Sequence, residues 1–161
     1  MTTIDKILKK IICTEIDKNG SIQLDRFMDI TLHDKKYGYY NNNKIIGTKG
    51  DFITSPEISQ MFGELILLSL IQQWENSKNS VNFNLIELGP GKGTLMLDML
   101  RTAKKFPRFF SKLNPFLYEK SLSLKKVQQK TLSNFNCNWI SNLKELPNLP
   151  SFLIANEFFD A

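Results

Sequence analysis

An α/β fold with a parallel sheet is the architecture this sequence predicts, and three observations predict it. From residue 83 onward, short apolar runs alternate with helical patterns, as strand–helix–strand units with right-handed crossovers require. A glycine-rich run, Gly89-Pro90-Gly91-Lys92-Gly93, lies directly after the first apolar run and directly before a helix. That is where such a loop opens a Rossmann-like nucleotide site. An acidic residue, Glu119, ends the second apolar run, roughly 25 residues beyond the loop, close to where dinucleotide folds place their ribose acid.

The four strands are expected over residues 83–88, 115–118, 135–140 and 151–155, the third being the least regular. Helices are expected over 94–105, stopped by Pro107, and from Ser121 to about Thr131. The predicted spatial order is 3-2-1-4.

The first 80 residues read differently, and we divide the chain into an N-terminal helical extension and cap (1–80) and a nucleotide-binding half domain (81–161). Ile4, Ile7, Leu8, Ile11, Ile12 and Ile16 recur at helical spacing opposite Lys6, Lys9, Lys10 and Glu15, and Asn19-Gly20 ends the helix. A basic amphipathic helix suits a membrane surface, but packing on its own domain is the reading we favour. A second helical pattern places Leu24, Phe27, Met28 and Leu32 on one side. The stretch from Tyr37-Gly38-Tyr39-Tyr40 to Gly47-Thr48-Lys49-Gly50-Asp51-Phe52 is irregular and lacks the spacing of a phosphate-binding P-loop, so it reads as turns. A third helix opens at Thr54-Ser55-Pro56-Glu57. Ser55 as N-cap puts Pro56 at the first helical position, whereas Thr54 as N-cap makes a capping box with Glu57. This helix is expected to run to about Trp74 with Ile58, Met61, Phe62, Leu65 and Leu68 buried.

Composition narrows the function classes. The 161 residues are enough for one core, and 42% apolar with 23% charged residues is ordinary for a globular chain. The longest apolar stretch, 65–71, is far too short to span a bilayer, and the N-terminus lacks a signal peptide's apolar run and cleavage site. We expect a cytoplasmic, bacterial protein. Cys13 and Cys137 lie far apart without a CxxC partner, and there is one histidine, so reduced, buried thiols are expected and no metal site. The net charge of +5 is spread over many segments, which describes a solvated surface better than a nucleic-acid stripe.

The chemistry concentrates at strand ends. Glycines at 89, 91 and 93, with Pro90 between them, let a cofactor approach the backbone, and the following helix offers free N–H groups. Glu87 stands two residues before the first glycine. A carboxylate there opposes a pyrophosphate but suits an ammonium group. The cofactor it favours is therefore S-adenosylmethionine (SAM), cationic at sulfur and free of phosphate, over a nicotinamide dinucleotide. Glu119 is placed to accept the ribose hydroxyls. Trp139 has two readings, a flank for the adenine ring or core packing. After the fourth strand come Asn156 and Glu157, at the crevice above the strand ends, where an amide and a carboxylate can hold a nucleophilic nitrogen and orient its lone pair. These two are the candidate catalytic residues.

Several blocks together resemble the MidA-like SAM-dependent methyltransferases: Gly50-Asp51-Phe52-Ile53-Thr54-Ser55-Pro56-Glu57, Glu87-Leu88-Gly89-Pro90-Gly91-Lys92-Gly93, and Ala155-Asn156-Glu157-Phe158-Phe159-Asp160-Ala161, supported by Tyr37-Gly38-Tyr39-Tyr40 and Phe62-Gly63-Glu64. The resemblance implies a class I methyltransferase sheet with an N-terminal extension that helps close the site, the 54–57 block serving cap or substrate. It further implies a protein substrate, since mitochondrial-matrix relatives are similar to assembly factors that methylate an arginine of a respiratory complex I subunit. A homodimer is compatible with it. Family members continue beyond the last block, so we expect a sheet truncated after its fourth strand, with weak SAM binding, association or aggregation and no methyl transfer by this chain alone. A non-catalytic assembly module that keeps the SAM-type fold is the alternative, separated from the enzyme by turnover.

Overall fold

The computed structural model describes residues 3–39, 55–77 and 81–159. Four parallel strands, β1 (Phe83–Leu88), β2 (Leu113–Tyr118), β3 (Asn138–Ile140) and β4 (Ser151–Ile154), lie in the order β3-β2-β1-β4, as the alternation predicts. β2 begins two residues early, and β3 keeps only the last three residues of its predicted run. The register sets Glu87 beside Leu117 and Ile154, so the C-terminal ends of the two central strands and of β4 open on one edge.

Helices α5 (Thr94–Ala103) and α7 (Leu122–Thr131) are the crossovers from β1 to β2 and from β2 to β3. Both steps go the same way across the sheet, and right-handed crossovers put both helices on one face. There Phe83, Leu85 and Leu117 from the strands meet Leu95, Met96, Met99 and Leu100 of α5 and Leu132 just past α7. A short helix, α6 (Pro107–Phe110), with Pro107 at its start, turns the chain back into β2 and inserts Phe109 beside Phe83 and Trp74, with ring centroids 4.9 and 5.4 Å apart. The opposite face carries a smaller cluster of Ile86, Leu88, Phe116 and Ile140, joined by Tyr118 and Phe158.

The N-terminal half begins with α1 (Thr3–Asn19), closed by Gly20 at φ 77°, whose N–H bonds Ile16 O at 2.7 Å. Then α2 (Leu24–Met28) runs into a wider turn over Asp29–His33. The Arg26 guanidinium clasps Glu15 of α1 (2.6 and 3.2 Å) and Asp29 (3.2 Å), which holds α2 across the end of α1.

Three expectations need correction here. The third helix is two helices, α3 (Ser55–Ile58) and α4 (Gln60–Asn76), broken at Ser59, whose extended backbone and hydroxyl cap α4 through Met61 N. Its buried face is also another one. Gly63, Leu67, Ile71 and Trp74 point inward, while Ile58, Met61, Leu65 and Leu68 are exposed and Phe62 is only half-buried. Both stripes are apolar at helical spacing, so periodicity cannot choose between them. The choice falls to the stripe whose small residue, Gly63, lets α4 lie against α5. Cys13 is exposed rather than buried, and Cys137 is half-buried; both are free thiols. Among the described residues, no helix is long and apolar enough to cross a membrane.

Candidate cofactor site

β1 ends in the glycine loop. Gly89, Gly91 and Gly93 all take left-handed backbone (φ 61°, 53° and 83°), and Gly93 N–H bonds back to Pro90 O at 2.7 Å before α5 starts. At Gly89 two constraints coincide. Its φ favours glycine, and a Cβ there would stand 2.6 Å from the Phe158 ring. Phe158 arrives because β4 is followed by a sharp turn at Glu157, which at φ 49° is the sole non-glycine residue with positive φ among the described residues. Such a conformation is costly for a side-chain-bearing residue and tends to be kept where a site needs it. The turn leaves Glu157 exposed and Asn156 half-buried beside the loop's aromatic lid.

Glu119 stands just past β2 and is nearly buried. Its Oε1 accepts the Ser121 N–H (2.7 Å) and its Oε2 accepts Gln128 Nε2 (3.0 Å). Burial pushes its carboxyl up, and these hydrogen bonds oppose the shift. Ser121 caps α7 through Leu124 N. Gln128, fully buried on α7, makes a further donation to Gly91 O (2.8 Å) and accepts the Trp139 indole N–H (2.9 Å). One amide thus ties the glycine loop, the acidic strand end and β3 together. Trp139 itself packs against the main core with that N–H held inward.

Glu87 is on the helix-facing side of β1 and 4% exposed. It accepts a backbone hydrogen bond from Met96 in the first turn of α5, its Oε2 finds no partner among the described residues, and burial raises its carboxyl to about 8. Glu57 reaches the same helix from the other side: Thr94 Oγ1 donates to its Oε1 at 2.6 Å, and Lys92 Nζ lies 3.5 Å from its Oε2. Its carboxylate is therefore directed to the loop. Ser55 and Pro56 are the first residues of α3, and Thr54 lies outside the described residues.

The glycine loop, Glu119, Asn156 and Glu157 thus gather at the C-terminal edge of the sheet, with Glu57 joined to them. Sequence reasoning missed Gln128 and Phe158. The aromatic pair Phe158-Phe159 beside polar residues was a usable hint. Gln128 left none, because α7 offers Leu122 and Val127 as apolar positions although both are exposed. The residues gathered here fit a phosphate-free, cationic nucleoside: bare backbone at Gly89, a buried carboxyl just past β2 at Glu119, and the Glu57 carboxylate on the loop's own lysine. No group of three or more metal-ligating side chains occurs among the described residues.

Residues 65–161 match a family model described as "Putative S-adenosyl-L-methionine-dependent methyltransferase". The chain belongs to this methyltransferase family. Its relatives include the mitochondrial protein arginine methyltransferase NDUFAF7 of Bos taurus, 35% identical over 98% of this chain and 41% of that protein. The NDUFAF7 homolog of Drosophila melanogaster is 34% identical over 96% of this chain and 40% of its own length. Among solved structures, the fold matches a COG1565 superfamily member from Burkholderia thailandensis bound to S-adenosyl-homocysteine, with a TM-score of 0.76 and 22% identity over 96% of this chain and 41% of that one. The chain spans about two fifths of the length of the relatives it matches. The match to the solved structure covers both the parallel sheet and the described N-terminal helices.

Proposed function

We propose that this protein binds SAM at the glycine loop and takes part in methyl transfer to a protein nitrogen, an arginine of a respiratory complex I subunit or a similar protein. The observation that carries the reading is the joining of Gly91 and Glu119 through Gln128, which sets a bare backbone and a carboxylate side by side at adjacent strand ends. Membership of a SAM-dependent family and relatives named protein arginine methyltransferases support it.

SAM, when bound, supplies an activated sulfonium methyl group. The chain's own residues do the positioning. Glu119 accepts the ribose hydroxyls, the loop N–H groups serve the methionine end, Glu87 braces the loop from the core through the Met96 N–H, and Trp139 holds Gln128 from β3. Asn156 and Glu157, carried on the strained turn, hold and orient the acceptor nitrogen. Glu57, at the start of the N-terminal part's last helices, caps the loop from the cofactor side.

Calorimetry with S-adenosyl-homocysteine tests this. Glu119→Ala should weaken binding by about 2 kcal/mol, roughly thirtyfold, for the lost charged hydrogen bonds. Gly89→Ala should weaken it as well by displacing Phe158. Unchanged affinity in a folded Glu119→Ala protein, or tighter binding of NAD than of S-adenosyl-homocysteine, would overturn the assignment, and transfer of a radiolabelled methyl group to a candidate substrate tests the chemistry.

A further inference from the structure

The start of α5 collects three features that hold phosphate elsewhere: a lysine from a glycine turn, a hydroxyl at the first helical position, and the positive end of a helix. Here they are Lys92, Thr94 and the first turn of α5, and a carboxylate from a distant segment already lies among them. Glu57 accepts from Thr94 Oγ1 at 2.6 Å and pairs with Lys92 Nζ at 3.5 Å, with its side chain 14% exposed. Beneath the same turn, Glu87 accepts from the Met96 backbone. The positive end of the helix is thus matched by the protein's own acids.

We propose that Glu57 is a built-in anion that fills the latent phosphate cradle of the loop, so that the site rejects phosphorylated ligands and admits a phosphate-free nucleoside. This deepens the SAM reading and rests on it for the identity of the admitted ligand. Two consequences follow from the geometry. A second anion at Lys92 and Thr94 must displace Glu57 or sit against its charge. Removing that charge leaves Lys92 without its carboxylate at the positive end of α5.

The test uses inorganic pyrophosphate and S-adenosyl-homocysteine as calorimetric probes of the wild type, Glu57→Gln, Glu57→Ala and Glu57→Ala combined with Lys92→Ala. Glu57→Gln keeps the shape and an acceptor for Thr94, so it guards against a variant that fails to fold. Both single variants should bind pyrophosphate at least about tenfold more tightly than wild type, and removing Lys92 should abolish the gain. A pyrophosphate affinity that stays at the wild-type level in folded Glu57→Gln, or a gain that survives loss of Lys92, overturns the role of Glu57. A wild type that binds no S-adenosyl-homocysteine while the pyrophosphate pattern holds overturns the cofactor reading instead and leaves Glu57 as the plug.

Discussion

Glu87 holds a carboxyl in the core with one oxygen on the Met96 amide and the other without a partner among the described residues, and burial raises it to about 8 from an ordinary value near 4.5. Between those two values the folded protein keeps a proton that the unfolded chain has released. The raised value therefore favours folding at low pH, and that advantage is lost as pH climbs through the window. The slope approaches about 1.4 kcal/mol per pH unit there. Glu87→Gln, which cannot ionise, should lose Glu87's share of that fall. Urea unfolding of both proteins from about pH 5 to 8 should find wild type losing several kcal/mol relative to the variant. A constant difference across that range would mean that Glu87 is charged when folded. Gln128 is a second residue of this kind. All three of its hydrogen bonds lie inside the molecule, so Gln128→Leu leaves Gly91 O, Glu119 and the Trp139 N–H short of partners together.

At the scale of elements, the packing of α4 on α5 turns on Gly63. A Cβ at that position would lie 2.9 Å from the Cβ of Asp98 and 3.3 Å from Leu95 Cδ1. Alanine gains about 1 kcal/mol of helix propensity over glycine, but overpacking costs about 1–3 kcal/mol. The neighbour here is a Cβ fixed to the α5 backbone, so the helices must separate and overpacking wins. Gly63→Ala should lower stability by about 1 kcal/mol, measured by thermal or urea unfolding. A stabilised variant would show that α4 and α5 are free to slide. Gly20 offers the contrast, since nothing lies within 4 Å of an added Cβ there and only its left-handed φ of 77° resists substitution.

For the whole molecule, a cofactor that bridges β1, β2 and β4 binds only the folded chain. Ligand at a hundred times its dissociation constant then adds about 2.7 kcal/mol to stability. S-adenosyl-homocysteine should raise the melting temperature in a concentration-dependent way, while NAD at equal concentration should not. A melting temperature indifferent to S-adenosyl-homocysteine would count against a site built across those strands.

Local chemistry made much of this legible in the sequence. The glycines at 89, 91 and 93 marked a turn with bare backbone, which the fold takes up in left-handed conformation, and the strand–helix alternation implied the β3-β2-β1-β4 order. The helix expected from Ser121 to about Thr131 formed as α7, with Ser121 as its cap. What only the tertiary structure decided depends on which surfaces meet. Two apolar stripes on α4 were equal in sequence, and contact with α5 at Gly63 chose the one through Leu67 and Ile71. Glu57 was a helix-capping acid in sequence, and 37 residues of separation hid its bond to Thr94. Gln128 was one polar letter on a polar helix until folding brought it between Gly91, Glu119 and Trp139. Periodicity and capping act within a few residues of chain, whereas a buried polar side chain takes its role from partners that only the closed fold supplies.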